Sequence, residues 1–367
     1  MHLKILVVDD TAVYRKIVTD ALAQIPDIGI VGTASNGKIA LSRIRELKPD
    51  LITLDIEMPE MNGLEVLQAL KNQSSSVGVI VVSSLTVKGG ELTMKALELG
   101  AFDFITKPEG GSTDGNLANI RKSLEPLLSA FARRKEVSVI LQGRTQSPRK
   151  TGTERKGFEE GPSVASRMGN IINRQRSEAV GIGISTGGPN ALASLLPDLP
   201  GDINVPVFLV QHMPPYFTQS MAQSLDAKCS LTVKEAENGE YVESNVVYVA
   251  PGGRQMRVTL GADATKKIIR VTDDPPENNC RPSVDYLFRS LAHHYLGRST
   301  GVIMTGMGND GTLGLKLMKR NGAAVIAQDE ATSVVFGMPK EAIEAGVVDI
   351  VVPLDQIASE IIKTVKR

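Results

Sequence analysis

Apolar residues along the first third of the chain fall alternately at strand and helix spacings. Lys4–Val8 is a short run of β-formers, and Ala12–Gln24 carries its apolar residues at helical spacing. Ile30–Ala34 is again strand-like, and Lys38–Leu47 predicts a helix closed by Lys48 and Pro49. Leu51–Leu54, Val77–Val82 and Phe104–Ile105 continue the strands. Leu117, Ile120, Leu124, Leu127, Leu128 and Phe131 lie at helical spacing and predict a last helix. Strands alternating with helices predict a parallel sheet covered on both faces.

The pattern stops after Arg134. Between Lys135 and Ser177 the chain carries scattered Gly, Pro and Ser, with Arg144, Arg149, Lys150, Arg155 and Lys156 among a basic excess. This predicts a flexible basic linker over 135–177. From Glu178 the alternation resumes. Strands are predicted at Ala179–Ile184, Val205–Gln211, Val246–Ala250, Ile268–Val271, Val302–Met304, Ala323–Ala327 and Val347–Val352. Helices are predicted at Asn190–Leu196, Phe217–Leu225, Val284–Leu296, Thr312–Lys319 and Leu354–Lys366. The expected class is α/β: two doubly wound parallel-sheet domains, 1–134 and 178–367, joined by a long linker.

Composition adds exclusions. A length of 367 residues, 42% hydrophobic and 22% charged, suits two soluble domains that each bury a core. The 41 basic and 41 acidic side chains balance, which argues against nucleic acid as the main partner. The two cysteines, Cys229 and Cys280, form no C-x-x-C pair and support neither a disulfide framework nor a thiolate metal site. Met1–Val8 meets Asp9 and Asp10 at once and lacks the build of a signal peptide. No apolar stretch approaches the ~20 residues of a membrane span. The expected location is cytoplasmic.

In a parallel α/β sheet, functional residues gather at the carboxyl ends of strands. In the first domain those ends carry Asp9 and Asp10, Asp55, Ser83 and Lys107. Clustered carboxylates with open water positions suit Mg²⁺. A carboxylate can also accept a phosphoryl group, whose charge then needs the metal, a lysine and a hydroxyl donor. The stretches Ile5-Leu6-Val7-Val8-Asp9-Asp10, Leu54-Asp55-Ile56-Glu57-Met58-Pro59, Met61-Asn62-Gly63 and Thr106-Lys107-Pro108 resemble the receiver domain of bacterial response regulators. The resemblance implies a flavodoxin-like fold with Asp55 as phosphorylation site. Asp10, Asp55 and the backbone carbonyl of Glu57 would hold Mg²⁺, with Asp9 in support. Ser83 takes the switch-hydroxyl position, Phe104 the switch-aromatic position and Lys107 that of the lysine.

In the second domain, Gly183-Ile184-Ser185-Thr186-Gly187 fits G-x-S-x-G, a turn that exposes a serine beside backbone N–H donors. The same glycines resemble a dinucleotide-binding turn, with the wrong spacing. His212 follows the strand Val205–Val210, at the same sheet end as Ser185, and Asp310 follows Val302–Met304. Ser185, His212 and Asp310 can therefore act as nucleophile, base and orienting acid; helix caps are the bland alternative. The other histidines, His2, His293 and His294, are terminal or helical.

Ser185-Thr186-Gly187-Gly188, Gln211-His212-Met213-Pro214-Pro215, Val249-Ala250-Pro251-Gly252, Arg281-Pro282-Ser283-Val284-Asp285 and Thr305–Gly311 resemble the catalytic domain of the chemotaxis protein-glutamate methylesterases, the CheB family. The resemblance implies a Rossmann-like serine hydrolase with Ser185, His212 and Asp310 as triad and backbone N–H groups near Thr186 and Met307 as oxyanion donors. It implies hydrolysis of glutamate methyl esters on chemoreceptor helices to glutamate and methanol, with no cofactor for the ester chemistry. Some members also deamidate receptor glutamines. A histidine kinase would be the phosphodonor, and the protein would sit peripherally on receptors. The competing readings are a dinucleotide oxidoreductase, a regulator with a non-catalytic binding output, and the same esterase in another receptor pathway. The fused architecture predicts that the unphosphorylated receiver covers the cleft.

Overall fold

The computed structural model describes residues 2–144 and 175–366, apart from Glu109, Gly111, Asp263 and Ala264; for 137–144 it describes the helical backbone alone. The first domain runs β1 (Leu3–Val8), α1 (Ala12–Ala23), β2 (Ile28–Ala34), α2 (Gly37–Leu47), β3 (Leu51–Asp55), α3 (Gly63–Asn72), β4 (Gly78–Ser83), α4 (Val87–Glu98), β5 (Asp103–Thr106) and α5 (Thr113–Arg144). Its sheet is parallel in the order β2-β1-β3-β4-β5, so the chain reverses direction across the sheet between β1 and β3. That switch point leaves Asp9, Asp10 and Asp55 beside one crevice. Strands β1 and β3 are almost wholly buried, as expected of strands covered on both faces.

The boundary expected at residue 134 lies further on. Helix α5 continues to Arg144, and Lys135, assigned to the linker from sequence, pairs with Asp50 of the first domain. At the other end, Ser177 is buried and bonds Thr300 Oγ1 at 2.8 Å. Residues 145–174, the remainder of the stretch read as a flexible basic linker, lie outside the described residues.

The second domain runs β6 (Val180–Ile184), α6 (Gly188–Leu195), β7 (Val207–Gln211), α7 (Phe217–Asp226), β8 (Thr232–Glu235), β9 (Val246–Val249), β10 (Gln255–Leu260), β11 (Lys267–Thr272), α8 (Val284–Tyr295), β12 (Thr300–Ile303), α9 (Thr312–Arg320), β13 (Ala324–Gln328), α10 (Met338–Glu344), β14 (Ile350–Val352) and α11 (Leu354–Val365). Its parallel sheet has the order β14-β13-β12-β6-β7-β9-β8. The chain winds outward from β6 in one direction and from β12 in the other. Ser185 and the loop carrying Asp310 therefore flank the switch point, and His212 ends the neighbouring strand. The predicted strand Ile268–Val271 belongs instead to the antiparallel hairpin β10–β11. There Met256, Val258, Ile269 and Val271 face the core while Arg257 and Arg270 face out.

The two domains are in contact. Helix α4 lies along α7, and Leu97, Phe217 and Met221 belong to one apolar cluster. Phe104 stacks on Phe217 with ring centroids 4.9 Å apart and planes 5° apart. Ser224 donates to Glu98 at 2.6 Å, and Lys228 pairs with the same carboxylate.

Candidate active site

In the receiver pocket, Lys107 Nζ lies 2.7 Å from Asp55 Oδ2 and 2.8 Å from Asp9 Oδ2. Asp9, Asp10 and Asp55 bring carboxylate oxygens within 4.8 Å of one another. Burial pushes Asp55 up to about 6, against the pull of Lys107. Three carboxylates facing one ammonium leave a pocket of net negative charge and hard oxygen donors, which fits Mg²⁺. Ser83 is buried beside this pocket with its hydroxyl turned onto Gly89 O at 3.2 Å. The Glu57 side chain points away to Lys88 at 2.6 Å. The structure thus brings the predicted phosphoacceptor residues together. Phe104 stands apart from them, at the boundary with the second domain.

The second cluster forms where β6, β7 and β12 end. Ser185 N donates to Thr305 O at 2.9 Å, and His212 N donates to Ile184 O at 3.1 Å. Gly306 packs on Ser185: a Cβ there would sit 2.7 Å from Ser185 Cβ, so glycine alone lets the β12 loop come this close to Ser185. His212 Nε2 lies 2.8 Å from Asp310 Oδ2. Asp310 is 2% exposed and also accepts from Val284 N at 2.7 Å and Ser283 Oγ at 2.8 Å, at the start of α8.

These bonds set the charges. Burial alone would raise Asp310, but the bonds from His212, Asn278 and Val284 hold it at about 2. Burial alone would lower His212, but Asp310 and the Cys280 sulfur hold it up at about 9. Among the described residues the Ser185 hydroxyl makes no hydrogen bond, and the Thr186 and Met307 N–H groups donate none. Both N–H groups are thus free to donate, and Thr186 lines the cleft beside Ser185.

The receiver supplies one wall of this cleft. Asp103, Phe104 and Thr106 line it together with Ser185, Thr186 and His212. Asp103 Oδ2 accepts from Gly187 N at 3.0 Å, two residues beyond Ser185, and Asn190 Nδ2 donates to Ala101 O at 3.3 Å. Gly187 has φ +75° and caps α6. Burial pushes Asp103 up to about 6, against its bonds from Phe104 N and Gly187 N. Nothing in the sequence alone links Asp103 to Gly187; the clue within reach was its place beside Phe104.

Fold and clusters together define a receiver of the phosphoacceptor type docked on an α/β domain with a Ser–His–Asp cluster at its switch point. Residues 5–113 match the response regulator receiver domain, and residues 180–361 match CheB methylesterase. A protein-glutamate methylesterase/protein-glutamine glutaminase of Desulfotalea psychrophila is 50% identical over 365 residues, covering 100% of this chain and 99% of its own. One of the same description from Geobacillus kaustophilus is 43% identical, covering 99% of each chain. The crystal structure of the Thermotoga maritima CheB methylesterase catalytic domain has 43% identity and a TM-score of 0.50, covering 51% of this chain and 98% of its own. The chain belongs to the CheB family of methylesterases with a receiver domain.

Proposed function

We propose that this chain is a phosphorylation-gated protein-glutamate methylesterase of chemotaxis that also deamidates receptor glutamines. The observation that carries the reading is the convergence of Ser185, His212 and Asp310 at one sheet end, beneath a wall supplied by the receiver. Ser185 Oγ attacks the ester carbonyl. Because Nε2 is held by Asp310, Nδ1 of His212 is the nitrogen left to take the serine proton once Ser185 Oγ displaces the Cys280 sulfur that faces it at 3.7 Å, and it passes that proton to the departing methoxide, which leaves as methanol. Water then enters by the same route and frees the glutamate. Thr186 and Met307 N–H groups receive the oxyanion. In the deamidation branch, ammonia leaves in place of methanol.

Asp55 takes a phosphoryl group from a histidine kinase. Asp10, Asp55 and the Glu57 carbonyl would hold Mg²⁺, which neutralises charge on the transferring group when bound. Lys107 pairs with the remaining charge. Ser83 leaves Gly89 for the new phosphoryl oxygens, and Phe104 leaves Phe217, loosening the wall over the cleft. Methylated chemoreceptor helices are the substrate. The protein acts in the cytoplasm, peripherally on receptors; among the described residues no helix is long and apolar enough to cross a membrane. Incubation with a small-molecule phosphodonor and Mg²⁺ should place one phosphoryl group on the chain, read by intact mass. Asp55→Asn should remove it, and a label that persists would move the phosphoacceptor elsewhere.

Two pH effects follow. The base must be deprotonated to act, and His212 is held above its ordinary value. The acid limb of kcat/KM should therefore lie above ~6.5, the unperturbed histidine value. A limb at or below that value would mean that Asp310 does not hold the imidazole during turnover. Asp103 gives the second effect. We take the raised value to come with docking, which closes the second domain over this carboxyl; it then binds more protons when docked than when free, so docking is tightest below its free value and loosens as pH rises through about 6. The basal rate of wild type divided by that of Asp103→Asn should rise between about pH 4 and 6 and then level off. A flat ratio would show that Asp103 does not titrate with docking.

A further inference from the structure

The segment Glu277–Cys280 closes on itself: Glu277 N donates to Cys280 O at 3.1 Å, and Cys280 N donates to Glu277 O at 2.7 Å. Its central residues, Asn278 and Asn279, have φ of 52° and 60°. Two consecutive left-handed residues make a type I′ turn, a conformation that asparagine tolerates and β-branched residues do not. Arg289 of α8 clamps the turn through both Glu277 carboxylate oxygens, at 2.7 and 2.5 Å.

This turn delivers two side chains to the catalytic pair. Asn278 Nδ2 donates to Asp310 Oδ1 and to Asp285 Oδ2, each at 2.9 Å. Cys280 Sγ lies 3.7 Å from His212 Nδ1. Both acceptors of the Asn278 amide are carboxylates, so its orientation is fixed. Asp285 is 1% exposed, and its carboxyl is raised by burial and by the charge of Asp310 beside it. A single NH₂ group therefore stands between two like charges. Val284 N, Asp285 N and Ser283 Oγ, the other donors to Asp310 besides His212, all come from the first residues of α8 and its cap.

We propose that the Glu277–Cys280 turn sets the geometry of the catalytic pair, and that Asn278 is a positioning residue that fixes the Asp310 carboxylate against His212. The proposal rests on the assignment of Ser185, His212 and Asp310 as the triad. Asn278 does not touch the reacting atoms. It acts by cancelling the repulsion that would otherwise turn Asp310 away from Asp285 and from the imidazole. The ionisable groups facing Asp310 are His212 from the end of β7, Asp285 from α8 and Cys280 from the turn; Arg289 stands behind Asp285 and is engaged by Glu277.

The test uses the full chain, activated with a phosphodonor, on methylated receptor membranes. Asn278→Gly keeps the turn, because glycine takes positive φ freely, and removes the amide. It should lower kcat about tenfold with KM unchanged. Asn278→Asp keeps the shape but sets a third carboxylate beside the pair, which favours the imidazolium. The acid limb of kcat/KM should then move up by about one pH unit. Wild-type kcat in Asn278→Gly together with an unmoved limb in Asn278→Asp would overturn the proposal. So would losses that follow only the fraction of folded protein, read by thermal unfolding, with the limb unmoved. Ser185→Ala is run alongside. Methanol release that survives in it overturns the triad and the proposal together, whereas its loss beside unaltered Asn278 variants overturns the proposal alone.

Discussion

Ser185→Ala is expected to lower methanol release by at least about 10³-fold while leaving the fold untouched. Removing Oγ removes the atom that forms the acyl intermediate, and His212 then has no nucleophile to activate. What survives should come from binding and from the proposed oxyanion donors, the Thr186 and Met307 N–H groups. The variant is clean for a structural reason. The Ser185 hydroxyl makes no hydrogen bond among the described residues, and the turn that carries it is held by main-chain bonds, Ser185 N to Thr305 O at 2.9 Å and Gly188 N to Ser185 O at 2.8 Å. Thermal unfolding should therefore move by no more than about 2 °C, as for a substitution that breaks no buried interaction. A large fall in stability would show that the hydroxyl also holds the turn, and the lost activity would then no longer isolate its role as nucleophile.

Asp310→Asn is expected to cut activity by about 10⁴-fold and to cost stability as well. The Asp310 carboxylate receives bonds from His212, Asn278, Ser283, Val284 N and Asp285 N, at 2.7 to 3.1 Å. Every one of these partners presents a hydrogen. An asparagine has one acceptor oxygen and one NH₂, so either orientation sets a donor against donors. If NH₂ takes the Oδ2 position, it meets Val284 N–H and drives His212 into the wrong tautomer. If it takes the Oδ1 position, it meets Asn278, Ser283 and Asp285 N–H. The lost charge-assisted bonds and the unpaired buried donors should cost about 2–4 kcal/mol. For a domain of this size that lowers the unfolding temperature by roughly 4–15 °C. Asp310→Asn should thus be inactive and less stable, where Ser185→Ala is inactive and stable. Equal stabilities would show that the network around Asp310 is looser than the distances imply.

What the sequence made legible was tied to strand ends. Buried parallel strands are unbroken apolar runs, so Leu51–Leu54 and Val302–Met304 announced themselves, and the polar residues that end them stood out. Ser185, His212 and Asp310 come from three strands far apart in sequence, yet one topological rule puts them together. Elements such as α3, α4 and β10 went unread although each carries a local signal. Helix α4 contains Gly89 and Gly90, which weaken its helical signature, although Thr86 caps it through Gly89 N at 2.9 Å. Helix α3 was announced by the Asn62–Glu65 capping box, a signal left unused. Strand β10 was hidden by its charge, yet Met256 and Val258 alternate about Arg257 with the strand period. Composition marked the end of patterned sequence near Arg134 but not the reach of α5, because the apolar run Val137–Leu141 is rich in β-branched residues and shows no helical spacing. Asn278 and Asp103 were out of reach for another reason. Their roles depend on partners 32 and 84 residues away, brought close only by the packing of a turn and of a second domain.

We propose that the docked receiver covers the Ser–His–Asp cleft and that a phosphoryl group on Asp55 uncovers it. The direct measurement is the initial rate of methanol release from membranes bearing methylated chemoreceptors, before and after adding a small-molecule phosphodonor with Mg²⁺. Wild type and Asp55→Asn are compared. A low basal rate is expected, rising severalfold or more in wild type and staying at its basal value in Asp55→Asn. An equal rise in both proteins, or a wild-type rate that ignores the phosphodonor, would contradict it.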